Sequence, residues 1–171
     1  MSQPGRIVAV LAANPALSSV LTMVLRSDSR LRVRPFESEV ALLTYIRIAP
    51  VDVLVVDLDR DGESAAGIVA ALRADRGIVR EDFQAIALTR TVTTALREKS
   101  IAAGIDEVIV KPMSPRHLLE RVIARLERER PFVLAPRYRG PERRNRLPGT
   151  RPANHGRRLG DNVVELFPEN A

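Results

Sequence analysis

An acid, a hydroxyl and an amine follow three separate apolar runs of this chain. Asp57 ends the run VDVLVVD, Thr89 ends AIALT, and Lys111 follows VIV and precedes Pro112. Side chains at the ends of parallel strands meet at the carboxyl edge of the sheet, where open α/β folds place their sites. Lysine is also rare here, since only Lys99 and Lys111 of the 27 basic residues are lysine. The sequence therefore predicts a site where these three groups converge, the alternative being strand-end charges that simply meet solvent.

The elements that would position these residues are short apolar runs that alternate with helical patterns. Such alternation indicates a parallel sheet with helices on both faces, because right-handed crossovers place helices on each side. Pro15 and the Ser114-Pro115 pair mark helix starts, and Gly104 marks a helix end. The predicted fold is α/β, a doubly wound five-stranded parallel sheet. Its strands cover 6–12, 31–36, 52–57, 84–89 and 107–110. The first helix begins at Pro15, and the other four cover 38–47, 64–74, 92–103 and 115–129.

Length and composition narrow the class of protein. A chain of 171 residues can bury one core of roughly 120 to 130 residues and still have a tail. The absence of cysteine excludes disulfides, a thiolate nucleophile and Cys-ligated zinc. No apolar stretch reaches the roughly 18 residues of a membrane span, and the N-terminal run is too short for a signal peptide, so a cytoplasmic protein is the default expectation. No nucleophile with a base and an orienting group is evident elsewhere, so no independent enzyme is expected.

The positive charge is concentrated near the end of the chain. Residues 131–160 hold eight arginines against one glutamate, and six of the 12 prolines follow residue 130. This composition predicts a globular domain over 1–130 and a disordered basic tail over 131–171. Within the tail, DNVVELFPE (161–169) is apolar enough to dock on the domain or a partner as a short strand or helical turn. The tail also contains candidate ligand-binding residues, four arginines suited to phosphate contacts and a tyrosine suited to base stacking. They are Arg137, Tyr138, Arg139, Arg143 and Arg144.

The segments VDVLVVDL, ALT, AGIDEVIVKP and SPRHLLERV together resemble the receiver domain of bacterial two-component response regulators, the CheY-like form of the flavodoxin-like fold, over residues 6–127. The resemblance gives Asp57 the phospho-acceptor position, Thr89 the switch hydroxyl, and Lys111 the lysine that pairs with the phosphoryl group. It also implies a cis peptide bond before Pro112, and a protein partner that binds the fourth helix, fifth strand and last helix.

The chain departs from this family at several positions. Ala12 and Ala13 stand where the family has an acidic pair that binds magnesium, and neither can ligate a cation. Phosphoryl transfer to a carboxylate needs a cation to neutralise the phosphoryl oxygens. Arg90 replaces a small residue and could cover the site or pair with Asp57, and Val108 replaces the aromatic switch residue. The expectation is a degenerate receiver that acts by protein binding, without a cofactor, with Mg²⁺ only if the site is functional after all.

Two alternatives for the function stay open at this point. One is a conventional receiver that is phosphorylated on Asp57. The other is a binder of a nucleotide second messenger, a nucleic acid or another polyanion through the arginine-rich tail, since some CheY-like proteins carry such an extension that binds cyclic di-GMP.

The loop after Asp57 also allows more than one interpretation. Asp57, Asp59 and Asp61 begin a D-x-D-x-D-G pattern of the EF-hand type, but the twelfth position is Ile68 and a strand precedes the loop. Asp59 and Asp61 could instead return carboxylates to the site, which would make Asp57 and Asp59 the candidate metal ligands. A solvated acidic turn is the favoured interpretation.

Overall fold

The computed structural model describes residues 5–57, 59, 65–128 and 130–142, and the backbone pairing of residues 163–164. Strands and helices alternate as the apolar pattern predicts. The strands are β1 (Arg6–Leu11), β2 (Leu31–Phe36), β3 (Val53–Asp57), β4 (Gln84–Thr89), β5 (Glu107–Val110), β6 (Phe132–Ala135), β7 (Tyr138–Pro141) and β8 (Val163–Val164). The helices are α1 (Pro15–Leu25), α2 (Glu39–Ile46), α3 (Ala65–Ala74), α4 (Thr94–Ala102) and α5 (Pro115–Glu127).

The main sheet has the strand order β2-β1-β3-β4-β5-β8, in which the first five strands are parallel. This confirms the predicted doubly wound five-stranded sheet. In the register, Asp57 lies beside Leu88 and Thr89 lies beside Val110. The ends of β3, β4 and β5 therefore reach the same edge of the sheet.

The core has two halves, one on each face of the sheet. Alternate side chains of a strand point to opposite faces, so Val8 and Val10 of β1 join one half while Ala9 and Leu11 join the other. Each half is sealed by different helices. The first half is covered by α1, through Leu21 and Leu25, and by α5, through Leu118 and Val122. The second half is covered by α2, through Leu42 and Ile46, and by α3, through Ile68, Val69 and Leu72.

The helices begin where polar caps occur in the sequence. Asn14 Oδ1 accepts hydrogen bonds from the amides of Ala16 and Leu17, and Ser114 Oγ accepts one from the amide of His117. A proline follows each of these caps at the first helical position, as the sequence predicts. α4 begins at Thr94, two residues after the predicted start at 92, because Thr93 is its N-cap.

Residues 131–142 are folded, which corrects the prediction of a disordered tail from residue 131. β6 and β7 form an antiparallel hairpin in which Ala135 pairs with Tyr138 across a two-residue turn. The amide of Glu142 donates to the Pro131 carbonyl at 2.7 Å and closes the open end of the hairpin. The rest of the predicted tail lies outside the described residues, apart from β8.

The hairpin packs on the domain through a buried arginine. The Arg73 guanidinium, 3% exposed, lies 4.0 Å from the centroid of the Phe83 ring and 4.8 Å from that of Phe132 in β6. It donates to the carbonyl of Glu81 at 2.8 Å and to that of Gly104 at 3.1 Å. The hairpin thus contributes one of the two aromatic rings that pack against this buried guanidinium of α3.

A close backbone approach holds the same contact. Gly104 ends the α4 segment with φ +76°, and a Cβ placed there would lie 2.4 Å from the Arg139 carbonyl oxygen. Arg139 in turn donates to the Arg73 carbonyl at 3.3 Å. The predicted helix stop at Gly104 is confirmed, and the same glycine also makes room for the hairpin.

β8 pairs antiparallel with β5, with Val163 beside Ile109 and Val164 beside Val108. This confirms that DNVVELFPE docks on the domain as a short strand, although the other residues of that segment lie outside the described part. Within the described residues, no helix is both long and apolar enough to cross a membrane.

Candidate functional site

Asp57, Thr89 and Lys111 meet at the carboxyl edge of the sheet, as the strand ends predict. Lys111 Nζ donates to Asp57 Oδ1 at 2.8 Å, and the Asp57 side chain is 8% exposed. The Lys111 amide donates to the Thr89 carbonyl at 2.7 Å, which fixes the residue after β5 against the end of β4. The peptide bond between Lys111 and Pro112 is cis, as the family resemblance implies.

Asp59 also belongs to the site, so the favoured interpretation of a solvated acidic turn is wrong for this residue. Its carboxylate lies 2.7 Å from Lys111 Nζ, and Thr89 Oγ1 lies 3.1 Å from Asp59 Oδ1. Its own amide donates to Asp57 Oδ1 at 3.0 Å, which folds the chain back toward the strand end. Asp61 lies outside the described residues.

Arg90 occupies the mouth of the site. Its Nε lies 3.3 Å from Asp59 Oδ2, while the arginine side chain as a whole is 75% exposed. Of the two alternatives, Arg90 covers the site and does not pair with Asp57, since its ion pair is with the neighbouring Asp59 carboxylate. The site therefore contains two carboxylates, an ammonium and a guanidinium within direct reach of one another.

The other side of the site offers no ligand for a cation. Ala12 is fully buried and Ala13 is exposed, while Asn14 uses its side-chain oxygen to cap α1. A magnesium ion needs an octahedral set of oxygen ligands, usually with carboxylates among them. Among the described residues there is no group of three or more acidic, His or Cys side chains that could hold a metal ion. The two carboxylates that the described residues bring to the site, Asp57 and Asp59, share the Lys111 ammonium, so these described residues do not fit a Mg²⁺ ion.

The charged groups of the site shift one another's pKa values. Burial on its own would raise the pKa of Asp59, but hydrogen bonds from Lys111, the Arg90 amide and Thr89 outweigh it and lower that pKa. Burial on its own would lower the pKa of Lys111, but hydrogen bonds to Asp57 and Asp59 outweigh it and raise that pKa. Both side chains are therefore ionised at neutral pH.

These shifts predict how the stability contributed by Asp59 depends on pH. A carboxyl whose pKa is lowered by folding stabilises the protein above its unfolded-state pKa of about 3.9, and this contribution is lost as the pH falls through the lower folded-state pKa. We expect the difference in free energy of unfolding between wild type and Asp59→Asn to be constant near neutral pH and to shrink in acid. Denaturant unfolding of both proteins across that range measures it, and a difference that grows toward acid would contradict the assignment.

The residues predicted to bind a ligand in the tail are only partly described. Tyr138 and Arg139 lie in β7, where the Tyr138 hydroxyl donates to the Pro141 carbonyl at 2.9 Å and Arg139 lies 3.7 Å from Glu81. Arg137 lies in the exposed hairpin turn, and Arg143 and Arg144 lie outside the described residues. Tyr138 and Arg139 thus have roles in the fold, and binding of a cyclic dinucleotide or another polyanion stays a prediction.

A five-stranded parallel sheet in this order, with an aspartate, a hydroxyl residue and a lysine after its third, fourth and fifth strands, defines a receiver domain. The chain belongs to the response regulator receiver domain family, whose model matches residues 8–123.

Relatives and solved structures agree with this family. The chain is 31% identical over 126 residues to the DNA-binding response regulator MtrA of Mycolicibacterium smegmatis, and equally to that of Mycobacterium tuberculosis. These alignments cover 71% of this chain and 50% of each relative, so the chain spans about half the length of the curated relatives it matches. The response regulator DrrB of Thermotoga maritima aligns with a TM-score of 0.62 and 26% identity, over 73% of this chain and 54% of that one. A CheY-like receiver protein of Methanospirillum hungatei shares the fold, with a TM-score of 0.64 and 18% identity over 72% of this chain and 94% of that one.

Proposed function

We propose that this response regulator is an atypical receiver that signals through protein–protein contacts, without Mg²⁺-dependent phosphorylation of Asp57. The observation that carries the proposal is the bridging Lys111 ammonium, which lies 2.8 Å from Asp57 and 2.7 Å from Asp59, in a chain that has Ala12 and Ala13 after its first strand. The negative charge at the strand ends is thus compensated by the chain's own side chains.

Charge is the reason why the replaced acids matter. A carboxylate that attacks a phosphoryl group approaches negatively charged oxygens, and receiver domains use a divalent cation to offset that repulsion. Asp57 retains the lysine and the hydroxyl residue of a receiver, but the positions of the family's acidic pair hold Ala12 and Ala13. Asp59 adds a second negative charge beside the acceptor. Both features disfavour attack of Asp57 on a phosphodonor.

A protein partner would meet a largely polar surface at α4, β5 and α5. On α4 the outward residues include Glu98 and Lys99, and on α5 Arg116 and Glu120 form an exposed ion pair at 3.1 Å. β8 already covers part of the β5 edge. We therefore place the partner on α4 and α5, where contacts between charged groups make binding sensitive to salt.

The conventional receiver is the competing function, because Asp57, Thr89 and Lys111 are all present and close together. DNA binding appears in the names of the mycobacterial relatives. Only about half of their length matches this chain, and DNA binding is not part of the proposal.

Treatment with Mg²⁺ and a small phosphodonor such as acetyl phosphate tests the proposal. We expect the wild-type protein to stay largely unmodified by intact mass spectrometry, because Ala12 and Ala13 supply no ligand for the cation that the transfer needs. Restoring the acidic pair with Ala12→Asp and Ala13→Asp should give Mg²⁺-dependent addition of one phosphoryl group.

Asp57→Asn is the matched control for this experiment, since it keeps the size of the acceptor and removes its nucleophile. It should abolish modification of the restored variant. In the otherwise wild-type protein, it should leave binding to the protein partner unchanged. Stoichiometric, Mg²⁺-dependent phosphorylation of the wild type that disappears in Asp57→Asn would overturn the proposal in favour of a conventional receiver.

A further inference from the structure

The hairpin of β6 and β7 has one side against the domain and one side open. On the inner side, Gly140 of β7 is buried and Arg139 donates to the carbonyl of Arg73 at 3.3 Å. On the outer side, Leu134 of β6 is 63% exposed, and Ala135 after it is also exposed. The small sheet contains β6 and β7 alone, so no other strand of the described residues pairs with the outer side of β6. An unpaired strand edge is a template on which a further strand can add.

The register of the hairpin decides which backbone groups of β6 face outward. Facing residues of an antiparallel pair alternate between pairs with and without hydrogen bonds. The amide of Glu142 donates to the Pro131 carbonyl, so that pair is hydrogen-bonded. By alternation Val133 is bonded to β7, whereas Phe132 and Leu134 belong to the pairs without hydrogen bonds. The N–H and C=O groups of Phe132 and Leu134 therefore face away from β7.

Two prolines limit the length of this open edge. Pro131 precedes β6 and Pro136 follows it. A proline has no amide proton to donate, so pairing is restricted to the four residues 132–135. The edge therefore fits a short extended peptide, and the exposed Leu134 side chain offers it an apolar contact beside the backbone hydrogen bonds.

The charge around the edge selects the kind of peptide. The segment RPFVLAPRYRGP (130–141) contains three arginines and no acidic residue. Arg137 lies in the exposed turn and has no ion pair with another described side chain. Opposite charges on neighbouring strands stabilise their pairing, and like charges oppose it. A strand that carries acidic residues is therefore favoured, whereas a second copy of β6 would bring the same arginines.

We propose that the outer edge of β6 is a docking edge for an extended, acidic segment of a partner protein, which adds to the hairpin as a third strand. An apolar side chain of that segment lies beside Leu134, and its acidic residues pair with Arg137 and its neighbours. The hairpin lies beyond residues 8–123, which the family model matches. The docking edge is thus an addition to the receiver domain, separate from α4 and α5, and the inference goes beyond the proposed function.

Titration of the full-length protein with the synthetic peptide EDVTVDE, capped at both ends, tests the inference by amide NMR at low salt. We expect saturable shifts and slower hydrogen exchange at the amides of Phe132 and Leu134, with weaker binding as salt is added. The control peptide has N-methyl groups on the central threonine and on the valine before it, which block both of its edges. It keeps every charge, and its affinity should be about tenfold lower or less, the effect of about two lost hydrogen bonds.

Three protein variants locate the binding. Leu134→Pro removes an outward N–H group that the hairpin itself does not use, and it should bind the peptide at least about fivefold more weakly. Arg137→Glu reverses a charge in the exposed turn and should weaken binding at least about threefold. Arg116→Glu, a matched reversal at a side chain of α5 that is 87% exposed, should leave the affinity unchanged. If Leu134→Pro unfolds the hairpin, Arg137→Glu and the N-methylated peptide still decide the result.

Equal affinities of the plain and N-methylated peptides would overturn the inference, as would shifts confined to other parts of the chain or no binding at low salt. Shifts of the same amides that grow with protein concentration, without peptide, would assign the edge to a second copy and overturn the acidic partner. None of these results bears on whether Asp57 accepts a phosphoryl group. Phosphorylation of wild-type Asp57 would end the proposed function and leave the docking edge in place.

Discussion

Replacing Arg73 with methionine should lower the free energy of unfolding by about 3 to 5 kcal/mol, the cost of removing one partner of a buried ion pair. Its guanidinium lies 3.5 Å from the buried Asp106 carboxylate and burial lowers the pKa of Arg73 to about 10. Methionine keeps an unbranched apolar chain between the rings of Phe83 and Phe132. The loss therefore reports the charge and its hydrogen bonds rather than a large cavity. Urea unfolding of both proteins measures it.

The partner of Arg73 supplies the control. Burial raises the pKa of Asp106 and the nearby Arg73 charge opposes that rise, so the carboxylate depends on Arg73 when ionised. Adding Asp106→Asn to Arg73→Met should recover part of the lost stability, because it removes the uncompensated charge. Arg116→Met, at an arginine side chain that is 87% exposed, should change stability by less than about 1 kcal/mol. Equal effects of Arg73→Met and Arg116→Met would refute the buried role.

Gly104→Ala should undock the hairpin and destabilise the domain. A left-handed backbone costs an alanine about 1 to 2 kcal/mol, and the new Cβ would lie 2.4 Å from the Arg139 carbonyl oxygen. One of the two backbones must move, and the hairpin is the smaller unit. We expect a loss of about 2 kcal/mol or more in free energy of unfolding, with faster amide exchange across β6 and β7 than in the wild type.

Gly67→Ala is the matched control for that change. Gly67 lies within α3, and a Cβ there would meet nothing within 4 Å. The alanine should be neutral or stabilise the helix by up to about 1 kcal/mol, with no change in exchange across the hairpin. If Gly104→Ala left both the stability and the exchange of the hairpin unchanged, the close approach of the two backbones would be refuted.

The parts of this fold that could be predicted from the sequence are those with local causes. Val8 to Leu11, Val53 to Asp57 and the proline-marked starts of α1 and α5 carry their own periodicity or capping signals. Asp57, Thr89 and Lys111 could be predicted as neighbours, because parallel strands bring their ends to one edge. Asp59 could be given only as an alternative to a solvated turn, since its place depends on the path of a loop and on ion pairs with Lys111 and Arg90 from other strands.

The hairpin was missed for a different reason. Averaged over forty or so residues, the arginines and prolines of the C-terminal region outweigh FVLA and the Pro136-Arg137 turn that follows it. Residues 132–141 taken alone contain a short apolar run, a turn and a second extended segment. The partners of this hairpin, Arg73 and Gly104, lie far away in sequence, so no local signal could reveal that the segment is covered on one side.

The pairing of β8 with β5 has a consequence for aggregation and strand exchange between copies. An unpaired edge strand invites another chain to extend the sheet. Backbone groups of Val108 and Ile109 at one edge are already paired with the chain's own Val164 and Val163. At the opposite edge, β2 presents exposed Arg32 and Arg34, which repel a like strand, and Pro35, which has no amide proton to donate. Edge-to-edge pairing between the sheets of two copies is therefore opposed at the β5 edge by the pairing with β8, and at the β2 edge by the arginines and Pro35.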